Sequence, residues 1–419
     1  MFFIYRFFIN IVFLISPIIL LIRLIKKKED ILRFKEKYCI FSSRKKKGKL
    51  IWFHGASVGE IQSILPIIEI LEKKENIKQI LITSNTLSSS KIISNLKLKK
   101  TIHQFFPIDT NFLTKRFLNY WKPDAAIFID TEIWPNIINN INKRKIPLII
   151  VNGRISKKTF KKWKMFPDFA DEIFNKFDLC ISCSKVSKKY FNKLGIKNTK
   201  YFGNLKFSQF ESNKIYLNQK LKKIISKKKV WVASSTHPGE EKICVTTHQN
   251  LKKKYKNLLT IIIPRHIERI PKIVKQISNF GLKVHIHKPY KTFEKETDIY
   301  LVNTYGETKS FFNTCKNVFL GGSIIPRGGQ NPLEAARYGC NILHGPNINN
   351  FSDIYFFLKK NKISTKINSA KTMTKVLDNF FSKKTESKII QKKIDYIGKK
   401  ILNSTYKEIN FFIKKYEIQ

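Results

Sequence analysis

Short apolar runs recur along the chain and alternate with longer segments in which apolar positions have helical spacing. The runs occupy residues 50–53, 79–83, 125–129, 147–151 and 179–182 and, after a polar, lysine-rich stretch at residues 208–229, residues 230–233, 259–263, 283–287, 299–302, 318–320 and 341–343. Buried strands this short, each followed by a helix, are typical of parallel sheets covered on both faces. The pattern therefore predicts an α/β chain with two Rossmann-like domains that face a cleft, and ligands of such sheets bind at the carboxyl ends of the strands.

The N-terminal segment has a different pattern. Residues 7–22 are apolar apart from Asn10, Ser16 and Pro17, and a basic run begins at Lys26. A helix over residues 1–22 would be about 33 Å long, enough to cross a bilayer or anchor in it. A signal peptide is the alternative, but no small-residue cleavage site follows. We expect an uncleaved anchor at residues 1–25, with no chemistry of its own, and the rest of the chain on the cytoplasmic side.

The domain boundaries follow from these patterns. We expect an N-terminal Rossmann-like domain at residues 26–215 and a C-terminal Rossmann-like domain at residues 216–419, with the last helix packing back on the N-terminal domain. Both lengths are ordinary for a single Rossmann-like domain.

Charge and cysteine content exclude some classes of protein. Lys and Arg number 80 and Asp and Glu 30, for a net charge of +50, but the lysines are spread through every segment. A nucleic-acid site would cluster them, so a basic surface that faces acidic lipid is favoured and no nucleic-acid partner is expected. Only Cys180 and Cys183 have metal or redox spacing, and no second pair completes a zinc site. We expect reduced thiols, with this pair in a buried strand.

Two loops in the first half carry acidic residues just after predicted strands. Ser57 and Glu60 fit a capping box, which would explain both side chains without any function. Glu60 is alternatively a general base at the mouth of the cleft. Asp130 and Glu132 follow another strand and, by strand alternation, should point to the same side. They either need a cationic partner or compensate the dipole of the helix that begins near Trp134.

Two loops in the second half have features of a phosphate or nucleotide site. Arg265 follows a strand and precedes a helix, a combination that can hold an anion. The second loop has two glycine pairs, at residues 321–322 and 328–329. Asn331 as N-cap and Glu334 three residues later would begin a helix, with Pro332 at its first position. The glycines also leave room for a ligand against the backbone, and Glu334 is an acid of the kind that binds a ribose.

Seven short motifs occur in one order along the chain. They are Ala56-Ser-Val-Gly-Glu60, Thr131-Glu-Ile-Trp-Pro-Asn136, Gly203-Asn-Leu-Lys-Phe207, Ser235-Thr-His-Pro-Gly-Glu-Glu241, Pro264-Arg-His266, Gly321-Gly-Ser323 and Gly329-Gln-Asn-Pro-Leu-Glu334. In this order they resemble the 3-deoxy-D-manno-octulosonic acid (Kdo) transferase family of lipopolysaccharide assembly, which has the GT-B glycosyltransferase fold. The resemblance covers nearly the whole chain, from the anchor to Asn350 and Phe351.

The resemblance implies roles for individual residues. It makes Glu60 the general base and gives Asp130 and Lys206 roles in assisting the transition state. Because Asp130 stands where the family has glutamate, Glu132 is expected to share or take its role. Gln330 and Ala335 likewise replace a usual histidine and proline. The contacts to cytidine monophosphate (CMP) are implied at Pro264, Arg265, Tyr305, Gly306, Glu307, Asn331, Pro332, Leu333 and Glu334.

The reaction that the resemblance implies is transfer of Kdo from CMP-Kdo to a lipid A precursor, lipid IVA, with inversion at the inner membrane. CMP-Kdo would be a substrate, and neither a cofactor nor a metal is expected. One alternative is a GT-B glycosyltransferase with another nucleotide-sugar donor and a lipid acceptor. The other is an anchored basic protein that binds nucleic acid or a surface. The retention of Glu60, Arg265 and Glu334 favours the transferase.

Overall fold

The computed structural model describes residues 1–96, 98–209, 216–288, 293–294, 296–383 and 386–417. The chain divides into unit 1, which consists of Met1–Phe210 with Gly398–Gln419, and unit 2, which is Glu211–Ile397. The boundary predicted after residue 215 lies outside the described residues.

Unit 1 contains a seven-stranded parallel sheet in the order β3-β2-β1-β4-β5-β6-β7. Its central strands are buried at almost every position because helices cover both faces of the sheet. The strands are β1 (Lys49–His54), β2 (Ile77–Ser84), β3 (Thr101–Phe105), β4 (Ala125–Ile129), β5 (Leu148–Gly153), β6 (Leu179–Ser182) and β7 (Thr199–Tyr201). The helices among them are α2 (Val58–Glu72), α3 (Leu87–Ser94), α4 (Asn111–Trp121), α5 (Pro135–Lys143), α6 (Lys157–Lys164), α7 (Pro167–Phe174) and α8 (Lys185–Lys193).

Unit 2 contains a second seven-stranded parallel sheet, in the order β10-β11-β9-β8-β12-β13-β14. Its strands are β8 (Lys229–Thr236), β9 (Leu258–Pro264), β10 (Val284–Ile286), β11 (Ile299–Leu301), β12 (Asn317–Leu320), β13 (Asn341–His344) and β14 (Ser364–Lys366). Its helices are α9 (Gln219–Ser226), α10 (Glu240–Lys252), α11 (Ile270–Ser278), α12 (Thr308–Thr314), α13 (Leu333–Arg337), α14 (Ser352–Lys360) and α15 (Ala370–Ser382). A core around Trp231, Phe319 and Leu343 fills the space between this sheet and its helices.

Two long helices lie at the ends of the chain. The N-terminal helix, α1 (Phe2–Ile25), is long and apolar enough to cross a membrane and is a candidate anchor. The C-terminal helix, α16 (Ser387–Glu417), begins in unit 2 and ends in unit 1. In unit 1 the Tyr416 hydroxyl donates to Asp178 at 2.9 Å, and Lys200 pairs with Glu408 at 2.6 Å.

The α/β class predicted from the sequence is confirmed, and each predicted apolar run lies on an observed strand. The prediction missed β3, β7 and β14, each at an edge of its sheet. The six cysteines are free and buried. The prediction of a buried strand is confirmed for Cys180, which lies on β6, whereas Cys183 directly follows the end of this strand.

Candidate active site

The acidic loops of unit 1 meet at the point where the strand order of its sheet reverses. β1 pairs with β2 on one side and with β4 on the other, so the chain leaves the ends of β1 and β4 in opposite directions. Crevices at such a switch point are where open α/β sheets bind ligands. Glu60 follows β1, whereas Asp130 and Glu132 follow β4.

Glu60 lies in the first turn of α2 and forms the predicted capping box. Its Oε2 accepts from the Ala56 backbone N–H at 2.7 Å, and its Oε1 accepts from the Ser57 hydroxyl at 2.7 Å. Burial raises the pKa of Glu60 from its ordinary value to about 7; the charges of Asp130 and Glu132 add to this rise, and the hydrogen bonds from Ser57 and Ala56 oppose it. A carboxyl group with a pKa near neutrality suits a general base.

The two glycines of this loop differ in their surroundings. A Cβ at Gly55 would lie 2.9 Å from the Ile129 side chain, so close packing of the loop on β4 requires glycine there. A Cβ at Gly59 would meet no described atom within 4 Å. Of the two, only Gly59 therefore has the open space expected where a substrate approaches.

Asp130 is buried and has a left-handed backbone conformation, with φ 56°. Its Oδ1 accepts from the Asn152 side-chain amide at 2.7 Å, and its Oδ2 lies 4.0 Å from the Lys206 ammonium. Burial raises the pKa of Asp130, against the opposing effects of Lys206, Asn152 and Arg154. The carboxyl group therefore belongs to a mixed polar cluster with two cations nearby.

Glu132 has different partners. Its Oε2 accepts from the Trp134 indole N–H at 2.9 Å and lies 3.4 Å from His54 Nε2. The His54 ring is held by a 2.9 Å hydrogen bond with Thr83 and by stacking on Phe106. Burial alone would raise the pKa of Glu132, but the hydrogen bonds and charge of His54 and the bond from Trp134 hold it below its ordinary value.

Strand alternation does not determine the directions of Asp130 and Glu132, so the prediction made on that basis is wrong. β4 ends at Ile129, and the left-handed conformation of Asp130 breaks the alternation directly afterwards. The two carboxyl groups contact separate partners, and both charges nevertheless act on Glu60.

Lys206 lies on a 3₁₀ turn, Leu205–Ser208, whose position depends on Asn152. Asn152 Oδ1 accepts from the Leu205 backbone N–H at 2.9 Å while its amide donates to Asp130, so one side chain joins the two predicted catalytic groups. Sequence reasoning did not single out Asn152, Arg154 or His54. The available signal was the Asn152-Gly-Arg154 string directly after a predicted strand.

In unit 2 the switch point of the sheet lies between β8 and β12, and a buried carboxylate ties their loops together. Glu240 is fully buried at the start of α10 and accepts four backbone N–H groups, from His237, Gly322, Ser323 and Ile324, at 2.7 to 3.1 Å. A carboxylate at the end of a helix that accepts several N–H groups is strongly stabilised. The Ser235–Glu241 motif therefore shapes the glycine loop after β12.

The predicted donor residues follow three strands of this sheet, β9, β11 and β12. Pro264 ends β9, and the exposed Arg265 follows it, with its backbone N–H donating to Thr236 at the end of β8. Glu307 pairs with His287 at 2.8 Å, whereas Tyr305 beside Gly306 is 65% exposed. Asn331, Pro332, Leu333 and Glu334 lie where α13 begins after the loop of β12.

The start of α13 differs slightly from the prediction. The helix begins at Leu333, with Pro332 as N-cap, one residue later than expected. The Asn331 side chain still accepts from the Leu333 backbone N–H, at 3.1 Å.

The four glycines of the β12 loop were predicted to leave room for a ligand, and this explanation is wrong. A Cβ at Gly321 would lie 2.5 Å from the Ser235 carbonyl, and one at Gly328 would lie 2.5 Å from the Asn350 side chain. Gly322 and Gly329 also face protein atoms at 3.2 to 3.3 Å. Close packing of protein on protein explains all four positions.

Within the described ranges, no group of three or more His, Cys, Asp and Glu side chains has the arrangement of a metal site. Asp130 has two cations, Lys206 and Arg154, and the Asn152 amide as neighbours.

Two Rossmann-like units with loop clusters at both switch points have the architecture of the GT-B fold class. The family model described as 3-deoxy-D-manno-octulosonic-acid transferase (kdotransferase) matches residues 32–209. The chain is 38% identical to the 3-deoxy-D-manno-octulosonic acid transferase of Rickettsia bellii, over 87% of this chain and 88% of that protein. It is 30% identical to the corresponding transferase of Aquifex aeolicus, over 83% and 90%. The chain belongs to this family of Kdo transferases of lipopolysaccharide biosynthesis.

Solved structures show the same fold in more distant proteins. The crystal structure of UDP-GlcNAc 2-epimerase from Neisseria meningitidis aligns with 88% of this chain and 100% of its own length, with a TM-score of 0.59 and 14% sequence identity. At that identity the likeness concerns the fold alone.

Proposed function

We propose that the chain transfers Kdo from CMP-Kdo to lipid IVA, with inversion at the anomeric carbon and with Glu60 as general base. The observation that carries this proposal is the half-buried Glu60 carboxyl group, whose pKa is raised to about 7, beside two other acids at the switch point of unit 1. A base with a pKa near the working pH gives the best compromise between the fraction ionised and basicity.

The three acids of the site have separate tasks in this mechanism. Glu60 takes the proton from a sugar hydroxyl of the acceptor as that oxygen bonds to the anomeric carbon, and the bond from this carbon to the CMP phosphate oxygen breaks. Glu132, whose pKa is lowered, stays ionised and orients His54 and Trp134. Asp130 and Lys206 form an ion pair that stabilises the charge developing on the reacting groups in the transition state.

On the donor side, the proposed contacts to CMP are those of the β9, β11 and β12 loops. The Arg265 guanidinium would bind the phosphate, because its planar donors match two phosphate oxygens. Tyr305, Gly306, Glu307 and the residues from Asn331 to Glu334 would hold the cytidine and ribose. In this proposal CMP-Kdo is a substrate, and side-chain cations meet its negative charge without a resident metal or cofactor.

The proposed location is the inner membrane, with both units on the cytoplasmic side. The outer face of α1 supports it, since Phe3, Phe7, Leu14 and Ile18 are each more than half exposed. Lipid IVA is a phosphorylated lipid, so a basic protein anchored at the same surface would meet it there.

The test is incubation of the full-length protein in detergent with CMP-Kdo and tetraacylated lipid A precursor, followed by mass spectrometry of the lipid. The expected product is the precursor with added Kdo. Glu60→Gln should keep the fold and lower turnover by about 10²-fold or more, the range of a general base. Glu69→Gln, an exposed glutamate on the same helix, is the matched control and should retain activity. Near-normal transfer by folded Glu60→Gln would remove Glu60 from the mechanism.

A further inference from the structure

The N-terminal helix α1 has one face that packs along unit 1. Its partly or fully buried residues recur at intervals of three or four positions, which is the spacing of one helix face. They are Phe2, Tyr5, Arg6, Ile9, Phe13, Ser16, Leu20, Arg23 and Leu24. Phe2 lies edge-on against Phe169, and Phe13 lies edge-on against Tyr38, each with ring centroids 6.0 Å apart. The helix is therefore part of the packing of unit 1 as well as a candidate anchor.

The first two turns of this face make polar contacts with the interior of unit 1. The Tyr5 hydroxyl donates to Asp109 Oδ2 at 2.7 Å, and Arg6 Nε donates to the Asn136 side-chain oxygen at 3.0 Å. Asp109 is 1% exposed and Asn136 fully buried. A hydrophobic anchor alone would not require such contacts, since a membrane offers no partner for them.

Asp109 serves as the cap of α5, although it lies on a different loop. Its two carboxylate oxygens accept from the backbone N–H groups of Asn136 and Ile137, each at 2.9 Å, and its carbonyl accepts from the Asn136 side chain at 2.6 Å. Trp134, at the N-cap position, makes no side-chain cap of its own. The first turn of α5 is thus held by Asp109, and Asp109 and Asn136 are held by α1.

The same turn fixes the acidic loop. Trp134 directly precedes α5, donates to Glu132 and packs on Phe106 at 5.7 Å, and Phe106 stacks on His54. A displacement of the start of α5 would move the indole that holds Glu132. The contacts therefore form a continuous path from Tyr5 and Arg6 to Glu132 through adjoining side chains.

We propose that Tyr5 and Arg6 are positioning residues for transfer, which act through Asp109 and Asn136 on the loop that carries Glu132. This inference rests on the proposed function of that loop. It replaces the expectation that residues 1–25 serve as an anchor without influence on the chemistry. Removal of α1 would disturb the site as well as membrane attachment.

The test compares Tyr5→Phe with Tyr38→Phe in the full-length, detergent-solubilised protein. Both variants remove one hydroxyl from the contact between α1 and the rest of unit 1, because the Tyr38 hydroxyl bonds Ser16 of α1 at 2.8 Å. Only Tyr5 contacts Asp109. Hydrogen exchange at residues 134–140 should be faster in Tyr5→Phe and unchanged in Tyr38→Phe. The kcat of Tyr5→Phe should fall by about tenfold, which corresponds to about 1.4 kcal/mol. The KM for CMP-Kdo should not change, since the proposed donor contacts lie in unit 2.

A second variant guards against a folding defect in the first. Arg6→Met keeps an unbranched side chain but removes the guanidinium, which donates to Asn136 and lies over the Phe2 ring, and it should speed exchange at the same residues. The positioning role would be overturned if Tyr5→Phe and Arg6→Met both had the same hydrogen exchange and the same kcat as Tyr38→Phe. A wild-type protein that transfers no Kdo, yet shows the exchange difference, would overturn the proposed function and leave the structural link in place.

Discussion

At the scale of single residues, Glu60 combines two roles that the sequence alone presented as alternatives. Its backbone and side chain complete the capping box with Ser57, and the same hydrogen bonds fix the direction of its carboxyl group. Burial then sets its pKa near 7. The capping glutamate is therefore also a preorganised base. The hydrogen bonds that fix its carboxyl group stabilise the anion less than burial destabilises it.

The pH dependence of transfer follows from this pKa. A general base must be ionised, so kcat/KM should rise with pH through an apparent pKa of about 7. Ser57→Ala removes a hydrogen bond that lowers the pKa of Glu60 and should move this limb to higher pH. Rate–pH profiles measure the shift. Ser156→Ala removes another helix cap in unit 1 and is the control, because its rate–pH profile should match that of the wild type. If the profile of Ser57→Ala also matched the wild-type profile, the assignment of this pKa to Glu60 would be contradicted.

Glu60 should also lower the stability of the folded protein at alkaline pH. Its pKa is raised in the folded state, so between pH 4.5 and about 7 the folded chain binds more protons and the free energy of unfolding falls as pH rises. Glu60→Gln lacks this loss and should be more stable than wild type at pH 8, by about 1–2 kcal/mol. The difference should shrink as pH falls from about 7 to 4.5. Thermal melts across this range and at pH 8 measure it, and equal melting temperatures at pH 8 would contradict the raised pKa.

The sequence identified the charged members of the site better than their supports. Glu60 and Lys206 belong to recognisable motifs, but Asn152 acquires its role only because it contacts Asp130 and Leu205, 22 and 53 positions away. His54 directly follows the predicted run at residues 50–53, and its role depends on Thr83 and Phe106, which orient its ring beside Glu132. Such contacts depend on the strand order, which periodicity does not give.

At the scale of elements, burial decides which strands the sequence reveals. β4 and β6 are buried on both faces and read as unbroken apolar runs. The missed strands β3, β7 and β14 lie at sheet edges and contain polar residues such as His103, Lys200 and Lys366. An edge strand has one unpaired side and needs less apolar surface, so its composition does not distinguish it from a loop.

The glycine loop after β12 depends on the start of α10. Glu240→Gln replaces a carboxylate that accepts four backbone N–H groups with an amide that has one acceptor oxygen, so some of these donors lose their partner. We expect a loss of about 2–3 kcal/mol of stability and weaker CMP binding. Melts and calorimetric titration of CMP measure both. Glu268→Gln, at an exposed glutamate, is the control. If Glu240→Gln bound CMP as tightly as this control, the glycine loop would not contribute to the donor site.

At the scale of the whole molecule, the two ends of the chain both complete unit 1. α1 supports the start of α5, and the last part of α16 packs beside the turn that carries Lys206. A Cβ at Gly203 would lie 2.5 Å from Ile401, which explains glycine at the first position of the Gly203–Phe207 motif. The sequence predicts that the last helix packs back on the N-terminal domain but not that Ile401 meets Gly203, so it could not give this reason for the glycine.

The close approach of α16 to the Lys206 turn can be tested at Gly398. In the interior of a helix, Gly to Ala normally adds about 1 kcal/mol of stability. Here a new Cβ would lie 2.4 Å from the Phe207 carbonyl oxygen, so Gly398→Ala should instead destabilise unit 1 and, by displacing the turn, lower kcat. Lys399→Ala, at an exposed neighbouring position, should leave both unchanged. Calorimetric melts and steady-state kinetics decide. A more stable, fully active Gly398→Ala would mean that α16 does not hold the Lys206 turn.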